Sequence, residues 1–273
     1  MTYREFWQPL TAVYDESEAR AVALMVLEKR FGLSMADVLF GKSGDEQELL
    51  LIQHRLLTGE PVQYVLGSAE FGGRQIFVEP GVLIPRPETY ELCQWVLECL
   101  PADRKVSVLD IGTGSGCIAC TLAAERTETE VTGWDISEKA LAIAQQNAHH
   151  TGVQLTLEVQ DALNAPADNN RWDIIVSNPP YICERERTGM ERNVLDYEPS
   201  EALFVPDDNP LLFYRAIARY ASKALKKGGC LFFEINALYA QETESMLLAE
   251  GFPIVETRRD QFGKERFIKA TRP

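Results

Sequence analysis

The sequence predicts an α/β protein whose mostly parallel sheet is covered by helices and preceded by a small helical bundle. From residue 88 onward, short apolar runs alternate with segments of helical periodicity, which is typical of βαβ units. Before residue 71 the apolar spacing is helical only. We therefore expect a helical domain at 1–70, a β-hairpin linker at 71–87 and an α/β domain at 88–273.

The first domain contains signals for three helices. Ser17 can cap a helix that ends near Gly32, and Ser34 can start a short one. Asp45 followed by Glu48 resembles a capping box that opens the third helix. Together these signals predict a small helical bundle.

The linker and the third domain follow from their own patterns. Two consecutive glycines, apolar alternation and a Pro-Gly turn predict the hairpin. Strands are expected over 106–111, 130–135, 154–159, 172–177 and 230–235 and near 253–257 and 266–270. Helices are expected from 88, over 117–126, 137–151 and 211–226, and near 238–250. The run 183–210 has little regular pattern and is expected to be a functional loop.

The strand at 172–177 runs directly into Asn178, Pro179, Pro180 and Tyr181. Its continuous apolar character is typical of a central strand buried on both faces, and the prolines end it. The Asn178 carboxamide oxygen and the Pro179 carbonyl would form two neighbouring acceptors, matched to the two hydrogens of a planar NH2 group. Tyr181 adds a flat face on which such a group could lie. The alternative is a turn that only closes the strand.

A glycine-rich loop follows the strand at 106–111. Its candidate cofactor residues are Asp110, Gly112, Thr113, Gly114, Ser115 and Gly116. Glycines permit a tight turn and close approach of a ligand to the backbone. The GxGxG spacing, and an aspartate that could receive a cationic amino acid group, favour S-adenosyl-L-methionine over a dinucleotide.

Two further acidic positions end neighbouring strands. Asp135 lies about 20 residues after the loop, where a carboxylate accepts bonds from ribose hydroxyls. Asp161 and Ala162 end the next strand, where the adenine edge would lie. A helix cap is the alternative for either aspartate. No metal is expected, and the histidines fall on helical segments.

Composition restricts the partners. The net charge of −14 argues against general nucleic-acid binding, although it is compatible with a basic protein partner. No apolar segment approaches the length of a membrane span, and the amino terminus lacks a signal pattern. Six cysteines without secretory spacing suit a reducing compartment. A cytoplasmic protein without membrane contact is expected.

The sequence DIGTGSG at 110–116, followed by SNPPY at 177–181, resembles the class I, seven-stranded (Rossmann-like) methyltransferases that modify planar amino groups. More narrowly, the chain resembles the HemK/PrmC family of protein-(glutamine-N5) methyltransferases. GEPVQY at 59–64, LIPRPET at 83–89 and YEP at 197–199 extend the resemblance over nearly the whole chain.

This resemblance implies methyl transfer from S-adenosyl-L-methionine, with S-adenosyl-L-homocysteine as product. The acceptor would be the glutamine of the Gly-Gly-Gln motif of class 1 peptide chain release factors. The helical domain would dock that partner, and the alternative is that it only stabilises the α/β domain as a cap. It implies cofactor contacts at 112–116, Asp135, Ala162 and Asn178, and substrate contacts at 178–181. The chain departs from the family pattern at Tyr90, which replaces an acid, and at Ala162, which replaces an aromatic residue of some members. We expect a monomer.

Two other functions stay open on the residues alone. An adenine-N6 DNA methyltransferase would present the same NH2 geometry to Asn178, and Tyr181 could stack on a flipped base. A regulatory protein that binds the cofactor without catalysis is the other alternative.

Overall fold

The computed structural model describes residues 1–101 and 104–273. The chain forms two compact units. The helical unit contains Met1–Ser68, Val78–Pro80 and Met190–Glu198, and the sheet unit contains Ala69–Phe77, Gly81–Gly189 and Pro199–Pro273. Two short segments beyond residue 70 thus belong to the helical unit. The predicted domains were contiguous stretches of the chain and did not include this exchange.

The structure contains the predicted helices and strands, and adds elements at 3–10, 62–66, 182–183, 192–197 and 204–205 that the sequence patterns did not predict. The helices are α1 (Tyr3–Leu10), α2 (Glu16–Phe31), α3 (Met35–Leu39), α4 (Glu46–Leu57), α5 (Val62–Leu66), α6 (Pro87–Cys99), α7 (Cys117–Glu125), α8 (Glu138–Thr151), α9 (Arg192–Tyr197), α10 (Leu212–Ala224) and α11 (Ala240–Ala249). The strands are β1 (Ser68–Phe71), β2 (Arg74–Phe77), β3 (Val106–Ile111), β4 (Thr129–Asp135), β5 (Thr156–Val159), β6 (Trp172–Ser177), β7 (Ile182–Cys183), β8 (Phe204–Val205), β9 (Leu225–Glu234), β10 (Ile254–Arg259) and β11 (Glu265–Thr271). Within the described residues, every helix is too short or too polar to cross a membrane.

Side-chain caps start four helices of the helical unit, and Thr2 is the cap of α1. The α2 cap is Asp15, whose carboxylate accepts from the Glu18 N–H at 2.8 Å, so the prediction of Ser17 as the cap was wrong. Asp15 has the extended backbone of an N-cap and satisfies a free N–H of the first turn, which leaves Ser17 inside α2. Ser34 caps α3, and Asp45 caps α4, as expected.

The apolar faces of α1, α2 and α4 form the core of the helical unit, which includes the buried side chains of Leu10, Val26 and Leu49. Gln53 is the one polar side chain of α4 that is buried there. Its amide donates to the Phe6 carbonyl at 2.7 Å, which satisfies a buried polar group at a helix–helix contact.

The hairpin of β1 and β2 spans Ser68–Phe77, earlier than the predicted 71–87. Gly72 and Gly73 both have positive φ, 56° and 77°, as a two-residue hairpin turn requires. Tyr90 packs edge-on against Phe71, with ring centroids 5.6 Å apart, and covers Gly72. Tyr90, which replaces the acid of the family pattern, therefore gives the hairpin an aromatic contact.

The sheet unit is built on seven strands in the order β10-β11-β9-β6-β3-β4-β5. β10 and β11 pair antiparallel, as do β11 and β9, and the remaining neighbours are parallel. Helices supply the crossovers between the parallel strands. This arrangement confirms the predicted seven-stranded, Rossmann-like fold.

Strand β6 occupies a central position between β3 and β9, and all six of its residues are buried. Its register pairs Ser177 with Ile111, and the Ser177 hydroxyl donates to the Ile111 carbonyl at 2.6 Å. The ends of β3 and β6 are therefore level. The glycine loop and Asn178 leave the sheet side by side, where open α/β sheets bind ligands.

Candidate active site

A cleft of about 310 Å³ lies within the sheet unit, at the carboxyl ends of β3, β4, β5 and β6. This volume lies within the range of small-molecule sites. The predicted site residues that line it are Gly112, Gly114, Asp135, Asp161, Ala162, Asn178, Pro179 and Pro180. The predicted residues Asp110, Thr113, Ser115, Gly116 and Tyr181 lie outside this lining.

Hydrogen bonds to strand β4 hold the glycine loop in place. The N–H groups of Gly112 and Thr113 both donate to the Trp134 carbonyl, at 2.9 and 2.8 Å. Gly112 and Gly114 have positive φ, 73° and 54°, and a Cβ at either position would meet no atom within 4 Å. Because both glycines line the cleft, the open space beside their backbone is available to a ligand.

Gly116 is required for packing rather than for ligand access. Its φ is 78°, and a Cβ there would lie 2.9 Å from the Cβ of Ala144 on α8. The close approach of α7 and α8 behind the loop therefore depends on this glycine.

Asn147 on α8 ties the loop to the hairpin. Its amide nitrogen donates to the Ser115 carbonyl at 2.8 Å and to the Phe77 carbonyl at 2.9 Å, and its oxygen accepts from the Phe77 N–H at 2.7 Å. The residue is fully buried, so these bonds form in a low-dielectric environment where polar groups need partners. Sequence analysis missed Asn147, because a lone asparagine within a helical pattern carries no signal of a tertiary contact.

Asp110 is fully buried beneath the loop. One carboxylate oxygen accepts from the Thr113 hydroxyl at 2.7 Å, and the other has no hydrogen-bond partner among the described residues. Burial raises the pKa of this carboxyl to about 7. A cation near this carboxyl would favour its ionised form. The unpaired oxygen is therefore compatible with the prediction that Asp110 receives a cationic amino acid group.

Asp135 ends β4 and lines the cleft. One carboxylate oxygen accepts from the Gly114 N–H and the other from the Ser137 N–H, each at 2.9 Å. The pKa of the Asp135 carboxyl is raised, because the effect of burial exceeds the lowering by these backbone bonds. Each oxygen retains acceptor capacity, so Asp135 can both brace the loop and receive ligand hydroxyls.

Asp161 also has a local role, because it caps the 3-10 turn Ala162–Asn164 with a 2.8 Å bond from the Leu163 N–H. Ala162 and Leu163 line the cleft beside it, together with Ile136 from the end of β4. Ile136 is 65% exposed. These apolar side chains give a planar base a surface that Ala162 alone would not provide. Sequence analysis missed Ile136 and Leu163, although an apolar residue directly after a strand-ending acid was a usable signal.

Asn178 lies half-buried at the end of β6. Its amide nitrogen donates to the Thr89 hydroxyl at 3.3 Å, and its side-chain oxygen accepts no hydrogen bond from the described residues. The Pro179 carbonyl likewise has no backbone donor among them. Two acceptors thus stand next to each other in the cleft lining.

Tyr181 packs against the core of the sheet unit, and its hydroxyl donates to the buried carboxylate of Glu234 at 3.0 Å. The Thr89 hydroxyl donates to the other oxygen of Glu234 at 2.7 Å. A substrate contact of the Tyr181 ring stays a prediction. Sequence analysis missed Glu234, although an acid at the end of the apolar run of β9 was a signal of a specific buried partner.

The comparisons with known proteins agree with this geometry. The "Methyltransferase small domain" family matches residues 91–195. A release factor glutamine methyltransferase of Bacteroides thetaiotaomicron is 44% identical over 271 residues, and the match covers 97% of each chain. The chain belongs to the release factor glutamine methyltransferase family. It is an enzyme, and its methyl donor is S-adenosyl-L-methionine.

A second relative supports the same family, and a solved structure supports the fold. The release factor glutamine methyltransferase of Flavobacterium psychrophilum is 38% identical, with 97% of this chain and 96% of that protein covered. A methyltransferase structure from Pyrococcus furiosus matches the fold with a TM-score of 0.51 at 16% identity, over 80% of this chain and 96% of that one. The predicted family and fold class are therefore confirmed.

Proposed function

We propose that this protein methylates the side-chain amide nitrogen, N5, of the glutamine in the Gly-Gly-Gln motif of class 1 peptide chain release factors, and thereby modulates translation termination. The observation that carries the proposal is the pair of unoccupied acceptors, the Asn178 side-chain oxygen and the Pro179 carbonyl, in the cleft lining. The identity to relatives of that name over nearly the full length supports the release factor as the substrate.

The two acceptors address the main obstacle to this reaction. A primary amide is a poor nucleophile, because its nitrogen lone pair is delocalised into the carbonyl. Asn178 and Pro179 accept both N–H bonds and favour a pyramidal nitrogen with a more localised lone pair. The proton becomes acidic only as the N–C bond forms and leaves afterwards to water. These residues therefore contribute positioning and fixed dipoles rather than a strong base.

S-adenosyl-L-methionine supplies an electrophilic methyl group on a sulfonium centre when it is bound. We assign its ribose hydroxyls to Asp135, and its base to the apolar surface of Ile136 and Leu163. The open backbone of Gly112 and Gly114 borders the same cleft. Asp110 supplies negative charge toward the cationic part from beneath the loop.

We assign docking of the release factor to the helical unit. This unit exposes apolar side chains on α3 and α4, among them Leu39, Phe40 and Leu51, and Phe40 is 88% exposed. Apolar side chains left exposed in this way are typical of surfaces that bind another protein. With a net charge of −14, binding to a basic protein is favoured over binding to nucleic acid. We propose a monomer that acts in the cytoplasm without membrane contact.

Methyl transfer from labelled S-adenosyl-L-methionine tests the proposal. A class 1 release factor, its Gln→Ala variant at the Gly-Gly-Gln motif, and duplex DNA are assayed in parallel. Label on the intact release factor alone is the expected result. Label on the DNA, or equal label on the Gln→Ala variant, would overturn the proposed substrate.

A further inference from the structure

The orientation of the Asn178 carboxamide decides which of its ends faces a substrate. Its oxygen and nitrogen ends have nearly the same shape, so packing alone does not distinguish them. If the amide nitrogen of Asn178 pointed toward the cleft, its NH2 group would face the NH2 group of the substrate. Both groups are donors, so the substrate NH2 would lose its acceptor. Some other group must therefore select the orientation.

We propose that Glu234, acting through the Thr89 hydroxyl, holds the Asn178 carboxamide with its oxygen toward the cleft. Thr89 and Glu234 are positioning residues in this proposal. Its catalytic consequence depends on the proposed function, whereas the orientation itself does not.

The direction of each hydrogen bond follows from the one before it. The Glu234 carboxylate only accepts, so the Thr89 hydroxyl gives its single proton to Oε2, at 2.7 Å. Toward Asn178 that hydroxyl then only accepts. The group at 3.3 Å must be the amide nitrogen of Asn178, and the side-chain oxygen is left to the cleft.

Glu234 is suited to begin this chain because it is fixed and both of its oxygens accept from hydroxyls. It is 2% exposed at the end of β9, and the Tyr181 hydroxyl holds its second oxygen at 3.0 Å. The pKa of Glu234 is raised because burial outweighs the opposing effects of the Thr89 and Tyr181 donors and of the positive charge of Arg266. Its two donors satisfy the buried carboxylate, which would otherwise be costly.

Thr89 is also held on its own element. It lies in the first turn of α6, it is buried, and it belongs to the LIPRPET stretch that the family resemblance singled out without a role. Residues distant along the chain thus meet at one hydroxyl, since Thr89 lies 89 positions from Asn178 and 145 positions from Glu234.

The kinetic test compares Thr89→Val, Thr89→Ser and the control Thr121→Val with the wild-type enzyme. Thr121 is fully buried on α7, and its hydroxyl has no hydrogen-bond partner among the described residues, so it matches the substitution without touching the site. We expect Thr89→Val to lower kcat about tenfold. This loss is smaller than the one caused by removing an electrostatic contact to the transition state. KM for the release factor and the Kd of S-adenosyl-L-methionine should stay within about twofold.

Thr89→Ser should restore kcat to near the wild-type value, and Thr121→Val should leave it unchanged. Glu234→Gln permits either direction of the hydrogen bond to the Thr89 hydroxyl, because an amide can donate to Thr89 or accept from it. Its kcat should lie between the wild-type and Thr89→Val values. A wild-type kcat in Thr89→Val, or failure of Thr89→Ser to restore it, overturns the proposal, and a wild-type kcat in Glu234→Gln removes Glu234 from it.

A second measurement does not depend on catalysis. The side-chain NH2 signal of Asn178, in protein labelled with 15N-asparagine, is assigned by its loss in Asn178→Ala. We expect slow exchange with water in the wild type and in Thr89→Ser, and faster exchange in Thr89→Val. Equal exchange in wild type and Thr89→Val overturns the proposed orientation. If the wild-type enzyme labels no release factor, the proposed function fails while this result still decides the orientation.

Discussion

The two sides of the cleft reach their geometry by different means. On the cofactor side, a contiguous stretch at 110–116 forms the loop, and its turn is closed by backbone bonds to the Trp134 carbonyl. On the acceptor side, the orientation of Asn178 depends on Thr89 and Glu234, which belong to distant parts of the chain. Backbone bonds thus close the turn on the first side, whereas side-chain hydrogen bonds set the orientation on the second. Substitutions on the two sides should therefore fail in different ways.

Asn178→Ala should have the largest effect, and it should be confined to the acceptor side. We expect kcat to fall by a factor on the order of 10² to 10³, as for the loss of one preorganised polar contact in a transition state. Steady-state kinetics measures this, and calorimetry should find the affinity for S-adenosyl-L-methionine within about threefold of wild type. Wild-type turnover by a variant that binds the cofactor normally would refute the proposed role of Asn178.

Two glycine substitutions separate ligand access from packing on the cofactor side. Gly116→Ala places a Cβ 2.9 Å from the Cβ of Ala144 and 3.1 Å from its Cα, at a φ of 78°. We expect a loss of about 3 kcal/mol of unfolding free energy from overpacking and backbone strain. Urea denaturation measures the loss.

Gly114→Ala is the matched comparison, because its φ is also positive and a Cβ there meets no atom within 4 Å. We expect it to lose only about 1 kcal/mol of unfolding free energy. Its added methyl group borders the cleft and should weaken cofactor binding. Equal destabilisation by the two substitutions would contradict the packing role of Gly116.

Asp110→Asn tests the buried charge beneath the loop through the pH dependence of stability. Burial raises the pKa of the Asp110 carboxyl in the folded state from its usual 3.8 to about 7, so the folded state favours the protonated carboxyl. The associated stability is present below the unfolded pKa and is lost as the pH rises through about 7. Wild type should therefore lose more unfolding free energy than Asp110→Asn between about pH 4 and about pH 7. Urea denaturation across this range checks the difference, and parallel curves for the two proteins would contradict it.

On the acceptor side, Tyr181→Phe should have the smallest effect on kcat, since Glu234 keeps its bond from Thr89. Removing one of two donors to a buried carboxylate should cost about 1 to 2 kcal/mol of unfolding free energy. We expect kcat to fall less than in Thr89→Val. Tyr90→Phe is the control, because the Tyr90 ring packs on Phe71, while the side-chain donors to Glu234 among the described residues are Thr89 and Tyr181. A larger kcat loss in Tyr181→Phe than in Thr89→Val would favour direct contact of Tyr181 with the substrate.

Sequence patterns predicted the seven strands, the glycine loop and the Asn178 segment, because these depend on local periodicity and on the backbone preferences of glycine and proline. They misplaced the start of the hairpin and the α2 cap, since several neighbouring residues can begin an element. They also treated 183–210 as irregular, whereas α9 at Arg192–Tyr197 belongs to the helical unit, where the Tyr197 hydroxyl donates to the Thr58 carbonyl at 3.1 Å. A six-residue helix has too few turns to show periodicity.

The sequence by itself determined the order of the seven main strands, the place of the glycine loop and the position of Asn178 at a strand end, because each is encoded in neighbouring positions. Only the tertiary structure showed that Asn147 braces the loop, and that Thr89 and Glu234 contact Asn178 and Tyr181. These contacts depend on the register and crossovers that bring α6, α8, β6 and β9 together. A hydrogen bond between distant residues has no periodicity, so a sequence pattern can indicate a buried acid such as Glu234 but not which residues it contacts.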